Sequence, residues 1–495
     1  MGVAMTEVLI TGAGPAGLAL ACALRQHDVA VRVVDKAGGP ATTSRANILH
    51  ARGVEVLNRL GALGDLRERG LSALQLSIHL EGRQIAEVRF GEVEGARLSA
   101  VFISQAEIEG ELRRRLGELG VEVEWGSELV SASQDDTGVT AELSGGEQVR
   151  AQWLVGCDGA HSAVRRLAGI GFPGAPLVDQ WLLADVHADW DRDRSGSAGW
   201  YHRDGLLFAM PMREPGRDDL WRIMCDVPRA DEALTEQQIL DRLRRLLPER
   251  TGLTDVRITD AKWASAFRIH RRLADRYRSG RVLLAGDAAH IHSPFGGQGM
   301  NTGVGDAENL AWKLALVARG MAGEALLDTY EAERRPVAAY VLRGTTANTK
   351  LLLGGGAAGR FLRDRVLTPL LNLPVVQRMG TDAASQLRIS YRRGPLAAPV
   401  RGPRPRSGDR VRDFECLRAD GTRTRLHTEL RGRWAVVGDA PVARKWLGDR
   451  VVTLTPTGSG DTLLVRPDGH LAWRGTDQAE LGRWLENALE RGRAR

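Results

Sequence analysis

A glycine-rich turn near the start of the chain constrains the fold more than any other feature of the sequence. Residues 8–10 (Val-Leu-Ile) form a short apolar strand, and the turn Gly12-Ala-Gly14-Pro-Ala-Gly17 follows closely. Residues 18–26 are rich in Ala and Leu, which favours a helix packed closely on a sheet. Residues 29–35 are rich in β-branched side chains and predict a second, parallel strand. The pattern therefore predicts a βαβ unit.

The spacing of the three glycines fits the pyrophosphate of a dinucleotide. Gly12, Gly14 and Gly17 stand where a side chain would obstruct the turn, the approach of a phosphate, or the packing of helix against strand. Backbone N–H groups and the helix N-terminus would face the phosphates. Asp35 ends the second strand about 20 positions further on, where an acid meets ribose hydroxyls. A purely structural turn is the alternative. The cofactor-binding residues predicted here are Gly12, Gly14, Pro15, Ala16, Gly17, Asp35 and Lys36.

The chain of 495 residues is 43% hydrophobic and 26% charged, so it is long enough for several domains with substantial cores. Residues 181–263 alternate as amphipathic strands around one helix, which indicates an inserted antiparallel sheet. A strand at 281–285 returns to the style of the first unit, and a helix is expected to start near Thr302. Residues 393–409, rich in Pro, Gly and Arg, form the best linker.

These segments predict an α/β fold with a Rossmann-like dinucleotide-binding domain in two parts, residues 1–178 and 265–392. An inserted antiparallel β-sheet domain at 179–264 would bind the substrate, and we expect residues 72–100 to contribute to its sheet. After the linker, a compact α/β module covers 410–495, where Pro467-Asp-Gly469 predicts a hairpin turn.

Composition narrows the partners and the location. The four cysteines (Cys22, Cys157, Cys225, Cys416) are far apart and have no metal-ligand or dithiol spacing, so we expect a reducing cytoplasm and no metal. The formal charge of +6 comes from dispersed arginines without a basic stripe, which argues against nucleic acid and is compatible with an anionic cofactor. The apolar run at 8–24 is broken by glycines and is shorter than the about 20 residues of a membrane span, so we expect no membrane contact.

The first glycine motif is common to NAD-binding and FAD-binding proteins. Two later segments distinguish between these cofactors. Residues 155–165 (Val-Gly-Cys-Asp-Gly-Ala-His-Ser-Ala-Val-Arg) and residues 281–290 (Arg-Val-Leu-Leu-Ala-Gly-Asp-Ala-Ala-His) both stand at strand ends. In order and spacing, the three motifs resemble those of the single-component aromatic-ring flavin monooxygenases. The resemblance extends over essentially the whole chain, and its C-terminal module is similar to the thioredoxin-like domain of that family.

The resemblance implies FAD as cofactor and assigns roles to particular residues. Asp287 would bind a ribityl hydroxyl, where an ionised acceptor gives a strong hydrogen bond. Asp158 and Gly159 would contact both FAD and the nicotinamide cofactor, with Arg165 completing their motif. For each aspartate, a solvated turn or a helix cap is the alternative. The cofactor-binding residues implied by these two motifs are Asp158, Gly159, Gly286 and Asp287.

Residues 293–301 (Ser-Pro-Phe-Gly-Gly-Gln-Gly-Met-Asn) match the family's segment beside the isoalloxazine ring, and we call them the flavin loop. Backbone N–H groups there can stabilise negative charge on reduced flavin. Residues 44–46 resemble a segment whose arginine lies near the flavin, and Gln105 resembles a glutamine that contacts the cofactor; ordinary surface and helix-start roles are the alternatives. The implied catalytic residues are Arg45, Pro294 and Gly297. The implied cofactor contacts are Arg45, Gln105, Pro294, Gly297, Gln298, Gly299, Met300 and Asn301.

The mechanism of the family implies that NADPH or NADH docks transiently and reduces FAD. The reduced flavin then reacts with O2 to a flavin hydroperoxide, which hydroxylates an aromatic ring in a dry pocket. The chain looks most like hydroxylases of polycyclic aromatic polyketides. Baeyer–Villiger insertion, hydroxylative inactivation of a phenolic antibiotic and a flavin-binding protein without turnover remain alternatives, and a homodimer stays open.

The substrate is expected between the inserted sheet and the flavin loop. Large apolar side chains suit a planar molecule there, although ordinary core packing is the alternative for each. Tyr201 or His202 could assist deprotonation of a phenol. The predicted substrate-binding residues are Trp181, Tyr201, Phe208, Met210, Trp221 and Met224.

Overall fold

A computed structural model describes residues 4–43, 46–71, 75–89, 93–230, 232–294, 296–353, 356–398, 404–458 and 460–489. The α-helices in these ranges are α1 (Pro15–Gln26), α2 (Ala51–Leu60), α3 (Leu66–Arg69), α4 (Gln105–Glu118), α5 (Ala163–Leu167), α6 (Glu236–Thr251), α7 (Gln298–Ala318), α8 (Ala325–Leu353), α9 (Gly356–Leu362), α10 (Thr368–Leu370), α11 (Pro374–Ser385), α12 (Leu426–Glu429), α13 (Pro441–Leu447) and α14 (Gln478–Leu489).

The strands in the same ranges are β1 (Ala4–Thr11), β2 (Val31–Asp35), β3 (Ile48–Leu49), β4 (Gln75–Leu80), β5 (Arg83–Arg89), β6 (Val101–Phe102), β7 (Val123–Trp125), β8 (Leu129–Asp135), β9 (Gly138–Leu143), β10 (Gln148–Gly156), β11 (Gly174–Asp189), β12 (Gly196–His202), β13 (Gly205–Pro211), β14 (Leu220–Val227), β15 (Arg257–Leu273), β16 (Arg278–Ser279), β17 (Val282–Leu284), β18 (His290–Ile291), β19 (Glu415–Leu417), β20 (Arg423–Arg425), β21 (Trp434–Val437), β22 (Val451–Pro456), β23 (Thr462–Val465) and β24 (Leu471–Gly475).

The first sheet contains the predicted βαβ unit. Its order is β16-β17-β10-β1-β2-β7, and β9 adds to β10 as the expected hairpin. Strand β1 is parallel to both β2 and β10, and α1 crosses between β1 and β2. Every residue of α1 from Gly17 to Leu24 is buried, because the helix packs against α4 and α7 as well as the sheet. Small Ala and Gly side chains allow this close packing.

The second sheet is built from two distant parts of the chain. Its order is β18-β15-β11-β14-β13-β12-β4-β5, so β4 and β5 extend the strands that follow Gly174. One face packs on α6 through a core that includes Leu182, Trp200 and Ile223. The opposite face carries a separate apolar cluster around Trp181 and Tyr201. The alternation of residues along β11, β13 and β14 puts each side chain on one of these two faces.

The third sheet belongs to the C-terminal module and has the order β20-β19-β22-β21-β23-β24. Strands β21 and β22 are parallel and joined through α13, whereas β23 is antiparallel to both β21 and β24. Pro467-Asp-Gly469 turns between β23 and β24, where the sequence predicts a hairpin. The end of the linker contacts this module, since Gly408 donates its N–H to Leu471 O at 2.7 Å. Within the described ranges, no helix combines the length and hydropathy needed to cross a bilayer.

Candidate active site

The glycine turn leaves a space that the protein itself does not fill. Gly12 has φ +99°, and a Cβ there would lie 2.3 Å from Cys157 O. A Cβ on Gly17 would lie 1.9 Å from Gly12 O, so helix and turn touch at that point. A Cβ on Gly14 would meet nothing within 4 Å. Gly12 and Gly17 are therefore required by packing, whereas Gly14 opens onto the space that a phosphate would take at the start of α1.

Asp35 holds the glycine turn in shape. Its Oδ2 accepts the N–H of Ala13 at 2.7 Å and its Oδ1 accepts the N–H of Ala37 at 2.8 Å. Each carboxylate oxygen has a further lone pair, so the side chain can also accept from a ribose hydroxyl. The neighbouring Lys36 is exposed. Asp35 thus has a structural task that the motif alone did not reveal.

Asp158 caps a helix and keeps one oxygen for another donor. Its Oδ2 accepts the N–H groups of Ala163 at 2.7 Å and Val164 at 3.1 Å, at the start of α5. Its Oδ1 is buried and has no hydrogen-bond partner among the described residues. Gly159 follows in the left-handed region with φ +77°. The helix-cap alternative is therefore real, and the orphaned Oδ1 has the capacity to accept one further hydrogen bond.

Arg165 ties the second motif to the third. Its guanidinium donates to Ala160 O at 3.0 Å and to Ala288 O at 2.9 Å. It also lies 3.9 Å from the centre of the Phe172 ring, a favourable cation–π contact. The Asp158-Gly159 turn and the 3-10 turn Gly286–Ala288 are thereby fixed relative to each other.

The glycine turn and the third motif meet α7 at one close contact. Gly286 has φ +62°, and a Cβ there would lie 2.9 Å from the Cβ of Ala16. A Cβ on Gly303 of α7 would lie 3.1 Å from the Cα of Gly286 and 3.4 Å from Ala16. Asp287 is exposed on the same turn. The small residues let the glycine turn, the 3-10 turn and α7 pack in direct contact.

A buried charge network supports the 3-10 turn, and the sequence analysis did not predict it. Asp306 of α7 accepts from Gly286 N at 3.2 Å, from Arg334 Nε at 2.7 Å, and pairs with His290 Nε2 at 2.6 Å. Burial alone would raise the pKa of Asp306, but His290 and Arg334 hold it below its ordinary value. The sequence signal that could have revealed this network is Asp306 itself, an acidic residue on the apolar face of a predicted helix. Asp306 thus supports the turn that carries Asp287.

The flavin loop ends earlier than expected. Gly296 and Gly297 have φ +94° and +61°, and Gly297 N donates to Pro294 O at 2.9 Å. Two consecutive left-handed glycines turn the chain so tightly that α7 begins at Gln298, and the predicted start near Thr302 is wrong. Residues 298–301 therefore form the first turn of α7. Gly297, the N-cap, has no side chain to cap these N–H groups, which leaves them for a ligand.

Asn301 fastens the flavin loop to the start of α2. Its Nδ2 donates to Ile48 O and Gly297 O, both at 2.9 Å, and its Oδ1 accepts His50 N at 2.9 Å. The His50 ring reaches Gly296 O through Nε2 at 2.7 Å. Burial lowers the pKa of His50, so a neutral ring donates this bond. The loop is held from both sides, by backbone and by two buried side chains.

Other predicted site residues have mixed placements. Gln105 is the first residue of α4; its N–H donates to Ala46 O at 3.0 Å and its Nε2 to Glu109 Oε1 at 2.8 Å. Met300 packs against the main core and Gly299 lies beside His292. Arg45 lies outside the described residues.

The predicted substrate residues divide between the two faces of the second sheet. Trp181, Phe208 and Met224 share the face opposite α6. Met210 lies on that face too, and its sulfur accepts a hydrogen bond from Asn47 Nδ2 at 2.9 Å. Asn47 directly precedes β3, whose Ile48 is bonded to Asn301 of the flavin loop. Trp221 packs in the core on α6, so its assignment to the substrate face is corrected: the strand alternation places it on the other side.

Tyr201 also departs from its expected role. It is buried under the Arg363 guanidinium, which lies 4.2 Å from the ring centre. Burial raises the pKa of Tyr201 to about 12. A phenol so covered and so weakly acidic does not serve as a base near neutral pH. His202, the next residue and the last of β12, is half-buried.

Comparisons with known proteins agree with this geometry. Residues 5–345 match the FAD binding domain family, and the chain belongs to that family. It is an FAD-dependent monooxygenase. Rifampicin monooxygenase of Streptomyces venezuelae is 35% identical, over 96% of this chain and 97% of that protein. The 6-methylpretetramide 4-monooxygenase of Streptomyces rimosus is 42% identical over 70% of this chain, but the match spans only 62% of that protein.

Solved structures agree over the full length. CabE, an aromatic hydroxylase from angucycline biosynthesis, has a TM-score of 0.80 and 32% identity, with 99% of this chain and 100% of that one covered. OxyS anhydrotetracycline hydroxylase from Streptomyces rimosus has a TM-score of 0.78 and 33% identity, with 98% and 99% covered. The prediction of FAD as cofactor, made on the second and third motifs, is confirmed.

Proposed function

We propose that the protein hydroxylates a polycyclic aromatic polyketide with NAD(P)H and O2. The observation that carries this is the apolar sheet face with Phe208, Met210 and Met224, which adjoins the strand holding the flavin loop. These apolar side chains suit contact with a fused-ring substrate. The relatives named for 6-methylpretetramide and anhydrotetracycline, and a solved aklavinone-11 hydroxylase complex with FAD and aklavinone, support the same substrate class.

The residues of the chain would position and shield rather than react covalently. Bound FAD would supply the redox chemistry, in which the two electrons of NAD(P)H reduce O2 so that one oxygen atom enters the ring and the other leaves as water. The free N–H groups at the start of α7 would stabilise negative charge at the flavin. Asp35, Asp158 and Asp287 would accept from cofactor hydroxyls. Arg45, Pro294 and Gly297 remain the proposed catalytic residues, because the resemblance puts them nearest the ring.

The domain layout is part of the proposal. The boundaries predicted at 178/179 and 264/265 fall inside β11 and β15, which are continuous strands of the second sheet. We therefore place the substrate domain at residues 174–273 together with β4 and β5, the nucleotide-binding domain in the remainder of residues 1–392, and the linker at 393–409. A thioredoxin-like assignment of residues 410–495 is supported by the strand order β22-β21-β23-β24 with β23 antiparallel to its neighbours. Burial raises the pKa of Cys416 to about 11, and no second cysteine accompanies it there, so dithiol exchange is not its role. The four free cysteines favour a reducing cytoplasm.

The second candidate is inactivation of an antibiotic by hydroxylation. The full-length similarity to rifampicin monooxygenases from two genera favours it. The two candidates differ in substrate and share the site, so a substrate panel separates them. Baeyer–Villiger insertion adds the same single oxygen as hydroxylation, so product mass alone does not distinguish it.

The decisive measurement is NADPH, NADH and O2 consumption by the purified yellow protein, with fused-ring phenols, quinones and rifampicin as substrates. We expect consumption stimulated by a fused-ring phenol and a product whose NMR spectrum shows a new ring hydroxyl. Asp287→Ala should lose most of its FAD, whereas Asp275→Ala, another exposed aspartate of the same region, should keep it. Bound FAD without stimulated consumption by any compound would refute the enzymatic proposal.

A further inference from the structure

The turn between β23 and β24 of the C-terminal module is buried inside the nucleotide-binding part. We call residues 466–470 the hairpin tip. Arg466, Asp468 and His470 are each 1% exposed. The carboxylate of Asp468 accepts from Asn309 Nδ2 at 3.2 Å and from Trp312 Nε1 at 3.4 Å, both on α7. Burial of three ionisable side chains is costly unless they are paired, so this contact is more specific than simple packing of the module on its neighbour.

Charge pairs fix the hairpin tip against α8. The guanidinium of Arg466 donates to both carboxylate oxygens of Glu333, at 2.7 and 2.9 Å, and also pairs with Asp468. Lys313 of α7 donates to the same Glu333 at 2.8 Å. Such a buried network gives little net stability over an apolar core, but its bond directions permit few alternative arrangements. It therefore sets how α7 and α8 lie relative to the tip.

On the other side, the hairpin tip reaches the start of α2. Arg52 donates to Asp468 O at 2.6 Å and to Glu308 of α7 at 3.2 Å. Arg52 is two residues from His50, whose N–H holds Asn301 and whose ring holds Gly296 of the flavin loop. A short path thus joins the backbone of the hairpin tip to the backbone of the flavin loop, through the side chain of Arg52, Ala51 and the ring of His50.

We propose that the hairpin tip is a positioning element for the flavin loop, acting through Arg52 and the start of α2. The C-terminal module then has a task in the reaction, which is to hold the loop backbone in the shape that receives the flavin. The proposal rests on FAD binding beside this loop and is independent of the substrate.

Arg59 provides a matched control on the same helix. It is as buried as Arg52, and it also pairs with Glu308, through Nε at 2.6 Å. It stands seven residues further along α2, and its guanidinium pairs with His427 of the module. Arg59 also borders Gly469 of the hairpin tip, but the hydrogen bond to the backbone of the tip comes from Arg52. Arg52→Met and Arg59→Met each remove one buried cation from the same two carboxylates, Glu55 and Glu308, so both should lower thermal stability. Only Arg52→Met also removes the hydrogen bond to the backbone of the hairpin tip.

The test measures hydrogen exchange of the FAD-loaded, full-length variants, in peptides that cover residues 293–301. We expect Arg52→Met to speed exchange of the loop amides about tenfold, Arg52→Lys to restore part of the protection, and Arg59→Met to leave it unchanged. The absorption spectrum of the bound flavin should shift with Arg52→Met only. Equal loop exchange in the two methionine variants would overturn the proposal.

A milder variant keeps the test valid if Arg52→Met does not fold. Asp468→Asn retains the size of the side chain but removes the charge that orders the tip around Arg466 and Asn309. We expect faster exchange of the same loop peptide. Asp461→Asn, which breaks the exposed pair with Arg474 elsewhere in the module, is its control and should change nothing in the loop. Lower stability of Asp468→Asn with normal loop exchange would equally refute positioning.

Discussion

Gly14 and Gly17 should respond in opposite ways to the same added methyl group. Gly14→Ala meets no neighbour and keeps a φ of −76° that alanine adopts readily, so the apoprotein should unfold at its normal temperature. Its affinity for FAD should fall at least about tenfold, because the methyl group occupies the phosphate space. Gly17→Ala would clash with Gly12 O and should lower stability by several kcal/mol, about the range for overpacking.

Thermal unfolding of the apoproteins and fluorescence titration with FAD separate the two effects. Normal FAD affinity in Gly14→Ala would contradict the assignment of this space to the phosphates.

Asp158 and Ser162 both cap α5, so they can be compared directly. Ser162 Oγ accepts from Arg165 N at 2.9 Å, and Asp158 accepts from two other N–H groups of the same turn. Alanine at either position should cost about 1 kcal/mol of stability through the lost cap. Only Asp158→Ala should also weaken FAD binding, because it removes the orphaned Oδ1. An equal effect of Ser162→Ala on the FAD dissociation constant would make Asp158 a cap and nothing more.

At the scale of residues, the sequence predicted which residues form the site better than it predicted what each of them binds. Glycine spacing located the turn, because close packing leaves no room for a side chain at Gly12 and Gly17. The double duty of Asp35 and Asp158 depends on bonds to Ala13 and Ala163, which no local pattern encodes. Asp306 was missed because its partners His290 and Arg334 lie in different elements.

The second sheet is an element whose two faces can be tested separately. Phe208→Ala, on the face opposite α6, should raise KM for the aromatic substrate with little change in the free energy of unfolding, since Phe208 is only partly buried. Trp221→Ala should destabilise the protein by about 3–5 kcal/mol through a cavity in the α6 core, and leave KM in the native protein unchanged.

Steady-state kinetics and urea unfolding of both variants provide the test. A raised KM in Trp221→Ala with normal KM in Phe208→Ala would reverse the assignment of the faces.

The C-terminal end of α1 predicts a dependence of stability on pH. Burial, assisted by Arg450 and Arg319, lowers the pKa of His27 to about 3 from 6.5. Between pH 6.5 and pH 3, His27 is protonated in the unfolded chain but neutral in the folded chain. The free energy of unfolding should therefore fall as the pH falls towards 3. This one group accounts for up to about 1.4 kcal/mol per pH unit.

The measurement is urea unfolding of the wild type and His27→Gln between pH 7 and pH 4. The variant should show the shallower dependence, and His161→Gln, at an exposed position, should not. Parallel curves for the wild type and His27→Gln would contradict a neutral buried His27.

At the scale of elements, periodicity predicted the strands of the first sheet and the hairpin of the module because local rules govern them. It did not predict where α7 begins, since the two left-handed glycines end the loop through backbone geometry. For Trp221 the signal was present but was not used: alternation along β14 puts Trp221 on the face of Ile223 and Cys225, opposite the face of Met224.

At the scale of the whole molecule, the nucleotide-binding part and the C-terminal module share one core. Trp312 of α7 packs edge-on against Trp434 of β21, with ring centres 5.1 Å apart. Leu316 and Leu326 join the same cluster as Trp473 of β24. The linker that the composition predicts therefore does not separate two independent bodies, which is a long-range property that composition does not encode.

This shared core predicts that the full chain unfolds in one cooperative transition, although proteins of this size often unfold in steps. Far-ultraviolet circular dichroism and the release of flavin fluorescence should give the same urea midpoint. Trp312→Ala removes the residue that joins the two parts, so it should cost about 3–5 kcal/mol and lower the midpoint of both signals together. Two separated midpoints in the wild type, with only the later one sensitive to Trp312→Ala, would show that the module folds by itself.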